Sequence, residues 1–374
     1  MPEAAAATGV TDAAPRAKPK RRLPVWMHPL LYGTLRSITT VPQVVGVHPA
    51  AEAAGGLGLA FARAGFNRSR VSKAAARVQF ALPGTSREAA TSLVHRSYEH
   101  LFRLGVEIGY IPRLLSDDAW VEHVELGAVG GSLDAILKGR PSLMLTGHCG
   151  NWEVLCTTMA LMGFPMRALY RPLDMKPLDT WVRRTRARRG VVLLDKFGAS
   201  RELPALVEAG VPIGVVADQN AGDKGLFVPF FGRLTSTYKT IGLLAIRHNA
   251  NVVCSYARRL PARRQEGFRY RLEVTDVIRP EDWADAPDPL FYLTARYRRA
   301  IEKMVCASPE QYLWMHRIWK SRPRHERLGR PVPDALREKL GALPWMDDDA
   351  VERVCEQSET DRRFLMENGL TRMP

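Results

Sequence analysis

One stretch, residues 142–153 (SLMLTGHCGNWE), constrains the fold of this chain more than any other. Its first five residues have the apolar character of a short buried strand. Two glycines then bracket a histidine and a cysteine, and Asn151, a residue suited to a helix N-cap, precedes a mostly apolar run. The pattern predicts a strand, a tight loop that carries His148, and a helix.

His148 and Glu153 can meet only in that arrangement. On one continuous helix a five-residue separation would place them roughly 140° apart, and a strand would place them on opposite faces. In a helix's first turn, the helix dipole favours an ionised Glu153. We expect this carboxylate to accept a hydrogen bond from one imidazole nitrogen, which leaves the other to take a proton from a substrate hydroxyl. For the pair alone, a capped loop in which His148 binds a nearby carbonyl is the alternative interpretation.

The GHCGNWE motif resembles the catalytic box of the lipid A biosynthesis acyltransferases, the lauroyl and myristoyl transferase family within the His-x4-Asp/Glu glycerolipid acyltransferases. Three further blocks resemble that family in the same order: YRPLDMKPLD (170–179), ADQNAGDKGLFVPFFG (217–232) and PEQYLWMHRIWKSRP (309–323). The resemblance implies lipopolysaccharide biosynthesis by transfer of a fatty acyl group to a hydroxyl of a phosphorylated glycolipid, a lipid A precursor. The implied donor is acyl-carrier protein or acyl-CoA, and no cofactor is implied.

The resemblance also implies roles for four residues. His148 would be the general base, and Glu153 would orient it and stabilise the imidazolium. Arg186, four residues before Gly190, matches the family's R-x3-G arginine, which could hold an oxyanion or a phosphate. Asp218 matches an aspartate of the third block. At the end of a strand, Asp218 could either orient a histidine or an arginine, or cap the turn. A solvated basic face is the alternative for Arg186, because its helix also carries Arg183, Arg184, Arg188 and Arg189.

Five other residues are candidates for substrate binding. Arg171 follows a strand and precedes a proline, which favours an extended turn. Phe230 and Phe231 would line an acyl-chain cleft or pack in the core. Ser236 and Thr237 resemble the N-cap of a following helix, where backbone N–H groups could receive a phosphate.

Composition narrows the partners and the compartment. The net charge of +15 indicates an anionic partner, which could be nucleic acid, anionic lipid or an acidic protein. The five cysteines are scattered without CxxC spacing, which argues against a disulfide framework or a zinc site and indicates a reducing compartment. Cys149 lies beside His148, but no second base is evident, so we interpret it as a bystander thiol. No ligand cluster accompanies His148, so no metal is expected.

The N-terminal part differs from the rest of the chain. Residues 1–22 are predicted to be a disordered basic tail, and residues 23–115 a helical, membrane-associating region. The longest uncharged run, residues 37–51, is shorter than the roughly 20 residues that cross a bilayer. We therefore expect peripheral or monotopic attachment to the cytoplasmic face of the inner membrane, with Trp26 and Tyr32 at headgroup level and residues 18–22 on anionic lipid. An ordinary pair of core helices is the alternative.

Beyond residue 115 apolar strands alternate with helices. Strands are predicted at 121–125, 142–146, 166–170, 191–194, 213–217, 252–258 and 268–274, and helices near 129–138, 151–163, 177–189, 200–209, 236–248 and 287–307. The alternation predicts an α/β fold, a mixed, largely parallel sheet covered by helices, with a catalytic domain at 116–325 and a charged C-terminal tail at 326–374. His148 and Asp218 each follow a strand, so both should face one crevice beyond the strands' carboxyl ends.

Three other functions compete with this interpretation. A related acyltransferase that acts on phosphatidylinositol mannosides shares the catalytic box and differs in its acceptor. A basic nucleic-acid-binding protein would explain the charge but not the glycine-bracketed His148, and the sequence has no RNA-binding aromatic signature or zinc finger, so no nucleic acid partner is expected. A non-catalytic membrane scaffold would tolerate the loss of His148.

Overall fold

The structure is a computed structural model that describes residues 44–195, 199–262 and 267–374, together with Met27, Pro29 and Gly33. The predicted disordered tail at 1–22 and the proposed interfacial residues Trp26 and Tyr32 lie outside the described residues.

Between residues 44 and 115 the structure has three α-helices: α1 (Val47–Arg63), α2 (Arg68–Ala81) and α3 (Arg87–Leu114). Ser86 caps α3, where its hydroxyl accepts the backbone N–H of Ala89 at 3.1 Å. Helix α1 packs closely on α3, because a Cβ on Gly58 would lie only 2.6 Å from the carbonyl oxygen of Tyr98. None of the helices in the described residues combines the length and the apolar character that a membrane span requires.

The described part of the chain contains nine strands, in the order β1 (Val124–Leu126), β2 (Ser142–Thr146), β3 (Arg167–Tyr170), β4 (Val192–Asp195), β5 (Ile213–Val216), β6 (Leu226–Phe230), β7 (Arg233–Thr237), β8 (Asn251–Arg259) and β9 (Tyr270–Ile278). All except β6 and β7 form one seven-stranded sheet of order β1-β9-β8-β2-β5-β3-β4. Its pairs are parallel except for β8 with β9, which confirms the prediction of a mixed, largely parallel sheet. Every residue of the central strand β2 is buried, as its apolar centre, residues 143–145, indicates.

Seven more helices accompany the sheet: α4 (Trp120–His123), α5 (Gly130–Leu137), α6 (Trp152–Leu161), α7 (Lys176–Ala187), α8 (Ala199–Glu208), α9 (Lys239–Arg247) and α10 (Pro289–Ala307). The main core lies between the sheet and α10, where Leu143, Val252 and Ile301 are almost fully buried. The prediction of a strand at 121–125 was wrong over its first half, because residues 120–123 form the short helix α4.

The β6–β7 hairpin was not predicted. Its two-residue turn, Phe231 and Gly232, has positive φ at both positions, 52° and 70°, as favoured hairpin turns require. Ser236 and Thr237 therefore lie in strand β7, and the next helix starts only at Lys239. The prediction that they form a helix N-cap was wrong, because pairing with β6 extends the backbone through Thr237.

The C-terminal residues add α11 (Arg324–Arg327), α12 (Asp334–Gly341) and α13 (Asp348–Glu367). Apolar side chains of α12 and α13 pack on the hairpin and on α10 in one cluster, which includes Val228, Leu234, Phe291, Leu340 and Val354. Buried Arg322 joins the two parts, donating to Glu326 at 2.6 Å and lying 2.6 Å from Asp361. The charged segment after residue 325 is thus anchored to the preceding α/β layer.

Candidate active site

The loop between β2 and α6 has the shape that its sequence predicts. The Asn151 side-chain oxygen caps α6, accepting the backbone N–H groups of Glu153 at 3.1 Å and Val154 at 3.2 Å. These bonds satisfy two N–H groups that a helix's first turn would otherwise leave unpaired. The helix therefore begins abruptly after the glycine loop, and His148 is left just beyond the carboxyl end of β2.

Gly150 makes the tight passage through this loop possible. Its φ is +63°, and a Cβ there would lie 2.1 Å from the carbonyl oxygen of Ala257. Its N–H donates to the carbonyl of Gln311 at 3.1 Å, and its carbonyl accepts a hydrogen bond from Nε2 of His100 at 3.1 Å. Burial, helped by the charge of Arg259, lowers the pKa of His100 to about 3, so this histidine is a neutral structural donor. The loop is thus held by contacts with the backbone of Ala257 and Gln311 and with the buried side chain of His100.

Asp218 binds the imidazole of His148. Strands β2 and β5 are parallel neighbours with Thr146 opposite Val216, so the residues two positions further on also lie side by side. Nδ1 of His148 lies 2.6 Å from Oδ1 of Asp218, and the backbone N–H of His148 donates to Oδ2 at 2.9 Å. Both residues lie beyond the carboxyl ends of neighbouring strands and contact each other there.

The protonation states follow from this pairing. Burial alone would raise the pKa of the Asp218 carboxyl, but the charge of His148 and its two hydrogen bonds outweigh burial and hold that pKa well below its usual range. An ionised Asp218 fixes the ring proton on Nδ1 and leaves the lone pair on Nε2. Within the described part of the chain, Nε2 of His148 has no hydrogen-bond partner. The ring is therefore arranged to accept a proton from a bound hydroxyl.

Glu153 binds Arg186 and not His148, contrary to the prediction from its spacing. Its carboxylate forms a two-bonded pair with Arg186, in which Nε donates to Oε2 at 2.7 Å and Nη2 to Oε1. The physical reason is that the parallel neighbour β5 already delivers a carboxylate to Nδ1 of His148, whereas α7 brings a guanidinium to Glu153 in the first turn of α6. The expected contact between Glu153 and the imidazole is thus replaced by one from Asp218.

The five arginines near the end of α7 are not alike. Arg186 is paired with Glu153 and lies over the ring of Tyr170, with 5.4 Å between guanidinium carbon and ring centroid. Arg183 binds Asp179 at 3.0 Å, and Arg189 donates to the carbonyl of Pro112 at 3.0 Å. Arg184 and Arg188 are exposed. A uniformly solvated basic face therefore does not describe this helix.

His316 joins the site from a distant part of the sequence. Its ring lies nearly perpendicular to that of His148, with centroids 4.5 Å apart and 76° between the planes. The backbone N–H of Leu313 donates to the carbonyl of His148 at 3.0 Å, and Cys149 pairs with Tyr312 in an antiparallel bridge. His316 is not among the site residues that the sequence predicted, and only its presence in the 309–323 block could have pointed to it.

His148, Asp218 and His316 could also hold a metal ion by distance alone. Each offers one ligand atom, and these atoms lie within 4.8 Å of one another, which no other such group in the described ranges achieves. Both carboxylate oxygens of Asp218, however, already accept N–H groups of His148. A metal ion would have to displace those bonds, so the donor set fits a hydrogen-bonded acid–base pair better.

The remaining predicted site residues are distributed differently. Phe230 is fully buried and Phe231 is partly buried, with its ring centroid 6.4 Å from that of Trp314. Arg171 is exposed at the end of β3. Ser236 and Thr237 are fully buried in β7, so neither is placed at the N-terminus of a helix to receive a phosphate.

Cys149 is a buried thiol. It is fully inaccessible, and burial raises the pKa of its thiol well above the ordinary value, with Asp218 adding to the effect. A thiolate would be the reactive form, so the geometry agrees with a bystander and not with a nucleophile.

Comparison with known proteins identifies the family to which this chain belongs. Residues 15–321 match the family model described as bacterial lipid A biosynthesis acyltransferase. The chain is 25% identical over 264 residues to the lipid A biosynthesis palmitoleoyltransferase of Escherichia coli K12, covering 69% of this chain and 81% of that protein. It is 27% identical over 161 residues to the E. coli K12 lipid A biosynthesis lauroyltransferase, which covers 42% of this chain and 50% of that protein. It is 30% identical over 163 residues to a Haemophilus influenzae lipid A biosynthesis acyltransferase, which covers 42% of this chain and 49% of that protein. This chain is an acyltransferase and belongs to the bacterial lipid A biosynthesis acyltransferase family.

Proposed function

We propose that this protein transfers a fatty acyl group from an acyl-carrier-protein or acyl-CoA thioester to a hydroxyl of a lipid A precursor, with His148 as the general base. The observation that carries the proposal is the His148–Asp218 pair at the carboxyl edge of the sheet, in which Nε2 of His148 has no hydrogen-bond partner among the residues that the structure describes. Family membership supplies the reaction class.

In the proposed reaction, the acceptor hydroxyl gives its proton to Nε2 of His148 while its oxygen attacks the thioester carbonyl. The buried carboxylate of Asp218 stabilises the imidazolium that forms. As the carbon–sulfur bond breaks, the departing sulfur takes the proton back from His148. The acceptor attacks the thioester directly, so the reaction requires no acyl-enzyme.

The Glu153–Arg186 pair would act beside this centre as a positioning element. It links the first turn of α6, which follows the catalytic loop, to α7, so the two helices hold a fixed relation. Exposed Arg171 and Arg184, within a chain of net charge +15, would attract the phosphates of the acceptor or an acidic donor protein. Partly buried Phe231 would contact the acyl chain, and fully buried Phe230, whose ring centroid lies 4.7 Å from that of Phe231, would support it from the core.

We further propose that residues 23–115 attach the protein to the cytoplasmic face of the inner membrane, and that residues 116–325 carry the chemistry. Near the start of the described chain, Leu57 is 66% exposed and Phe66 is 74% exposed. Arg68 and Arg70 follow Phe66 and are exposed as well. Large apolar side chains beside cations suit a membrane interface with anionic lipid.

The test is acyl transfer by the purified full-length protein, read by mass spectrometry, with a lipid A precursor and a phosphatidylinositol mannoside as alternative acceptors. We expect the lipid A precursor to be acylated and His148→Ala to lower turnover by about 10²–10⁴, while His123→Ala remains active. If the purified His148→Ala variant kept more than half of the wild-type rate, the general-base assignment would be wrong.

The same preparations test the attachment to membranes. Wild type should sediment with anionic phospholipid vesicles at low salt, and the double variant Leu57→Ser with Phe66→Ser should sediment less. A wild-type protein that stays in the supernatant would refute the membrane proposal and leave the chemistry untouched.

A further inference from the structure

The proposed thioester chemistry needs a hydrogen-bond donor at the carbonyl oxygen. When the hydroxyl attacks, negative charge develops on that oxygen, and a preorganised donor near it is a large source of rate enhancement. Arg186 was the expected donor, but two of its N–H groups are bound to Glu153. A group that contacts His148 directly is therefore a stronger candidate for the donor.

His316 is placed where such a donor is needed. In the adduct, the attacking oxygen and the developing oxyanion are bonded to the same carbon, and each should lie about 3 Å from its own protein partner. The ring centroids of His148 and His316 lie 4.5 Å apart, and one ring nitrogen of each lies within 4.8 Å of the other. This spacing is compatible with two protein partners for two oxygens on one carbon.

The backbone holds the two imidazoles as one unit. The N–H of Leu313 donates to the carbonyl of His148 at 3.0 Å, and the N–H of His316 donates to the carbonyl of Leu313 at 3.0 Å. From the other side, Nη1 of Arg77 donates to the carbonyl of Trp314 at 3.3 Å. The position of His316 relative to the base is therefore fixed before substrate binds.

The ring of His316 is neutral and incompletely bonded. Burial, with the nearby charge of His148, lowers the pKa of His316 to about 4, so near neutral pH it carries one N–H and one lone pair. Its Nδ1 is buried and has no partner among the described residues. Buried polar atoms are rarely left unpaired in native proteins, so this ring keeps hydrogen-bonding capacity that the protein itself does not use.

We infer that His316 is a second catalytic imidazole, which donates a hydrogen bond to the thioester carbonyl oxygen as negative charge develops there. This inference rests on the proposed function. The hydroxyl proton passes to Nε2 of His148, the new carbon–oxygen bond forms, and the carbonyl electron pair moves to the oxygen that His316 stabilises. When that pair returns, the carbon–sulfur bond breaks and the sulfur takes the proton from His148. His316 keeps its own proton throughout.

The experiment compares two replacements with opposite properties. His316→Phe keeps an aromatic ring against His148 and loses the donor, whereas His316→Gln keeps an N–H donor and loses the ring. We expect His316→Phe to lower kcat by about 10²–10³ with little change in KM, and His316→Gln to be at least about tenfold faster than His316→Phe. His95→Phe, at a partly buried histidine of α3, should stay close to wild type.

A packing role predicts the reverse order, with His316→Phe near wild type and His316→Gln impaired, and that order would overturn the inference. An acid limb of the pH–rate profile displaced in His316→Gln would also overturn it, because His316 would then be exchanging a proton. If His316→Phe fails to fold, His316→Asn against His316→Ala makes the same comparison. A wild-type protein with no transfer from any thioester would instead refute the proposed function.

Discussion

Asp218→Asn tests the central contact of the site with the smallest possible change in shape. In the wild-type protein, both carboxylate oxygens accept N–H groups of His148, one from the ring at 2.6 Å and one from the backbone at 2.9 Å. An asparagine offers one acceptor and one donor in the same space. One of the two N–H groups of His148 must therefore face an amide NH₂ group.

Each orientation of the amide has its own cost. If the amide oxygen faces the backbone N–H, its NH₂ group faces Nδ1, which must then accept, and the ring proton moves to Nε2 where the base is needed. If the oxygen faces Nδ1, two buried donors oppose each other, which costs about 1–3 kcal/mol. Both orientations also remove the charge that stabilises the imidazolium. We expect turnover to fall by about 10²–10⁴, equivalent to about 3–5 kcal/mol of transition-state stabilisation.

The assay is the steady-state rate of acyl transfer from the thioester, measured on variants whose circular dichroism matches wild type. Asp223→Asn is the matched control, because Asp223 lies in the same loop and binds the exposed Arg372 at 2.7 Å. It should remain close to wild type. A folded Asp218→Asn protein with more than about a tenth of wild-type turnover would refute the assignment of Asp218 as the group that orients His148.

Two further predictions concern the surroundings of the site. Arg186→Lys cannot reproduce the two-bonded pair with Glu153 and should lower the transfer rate by about 10²-fold, whereas Arg184→Lys at an exposed position should change it little. Equal rates for the two variants would show that the Glu153–Arg186 pair does not position the site. His100 has a folded pKa of about 3 against an ordinary 6.5, so the stability it contributes is present above pH 6.5 and is lost as the pH falls toward 3. Between pH 7 and pH 5, the free energy of unfolding in urea should therefore fall less for His100→Gln than for wild type. Equal decreases would contradict the assignment of His100 as a buried, neutral histidine.

Much of the fold can be predicted from the sequence because its signals are local. The apolar run of β2, the glycines at 147 and 150 and the cap at Asn151 together specify strand, loop and helix, and the structure has all three. The β6–β7 hairpin was missed for the same reason. Its second strand carries Thr235, Ser236 and Thr237, whose polar character suggests a helix cap, and only pairing with β6 makes them strand residues.

The placement of His148 beyond β2 was likewise determined by the sequence, and so was the carboxylate of Asp218 at the end of β5. What the tertiary structure decided is which groups meet. The order of strands puts Asp218 against His148 although 70 residues separate them, while α7 draws Glu153 to Arg186 and the 311–316 segment brings His316 beside the base. Sequence spacing describes neighbours along one strand or helix, whereas contacts across a sheet depend on strand order and on the long-range packing that establishes it.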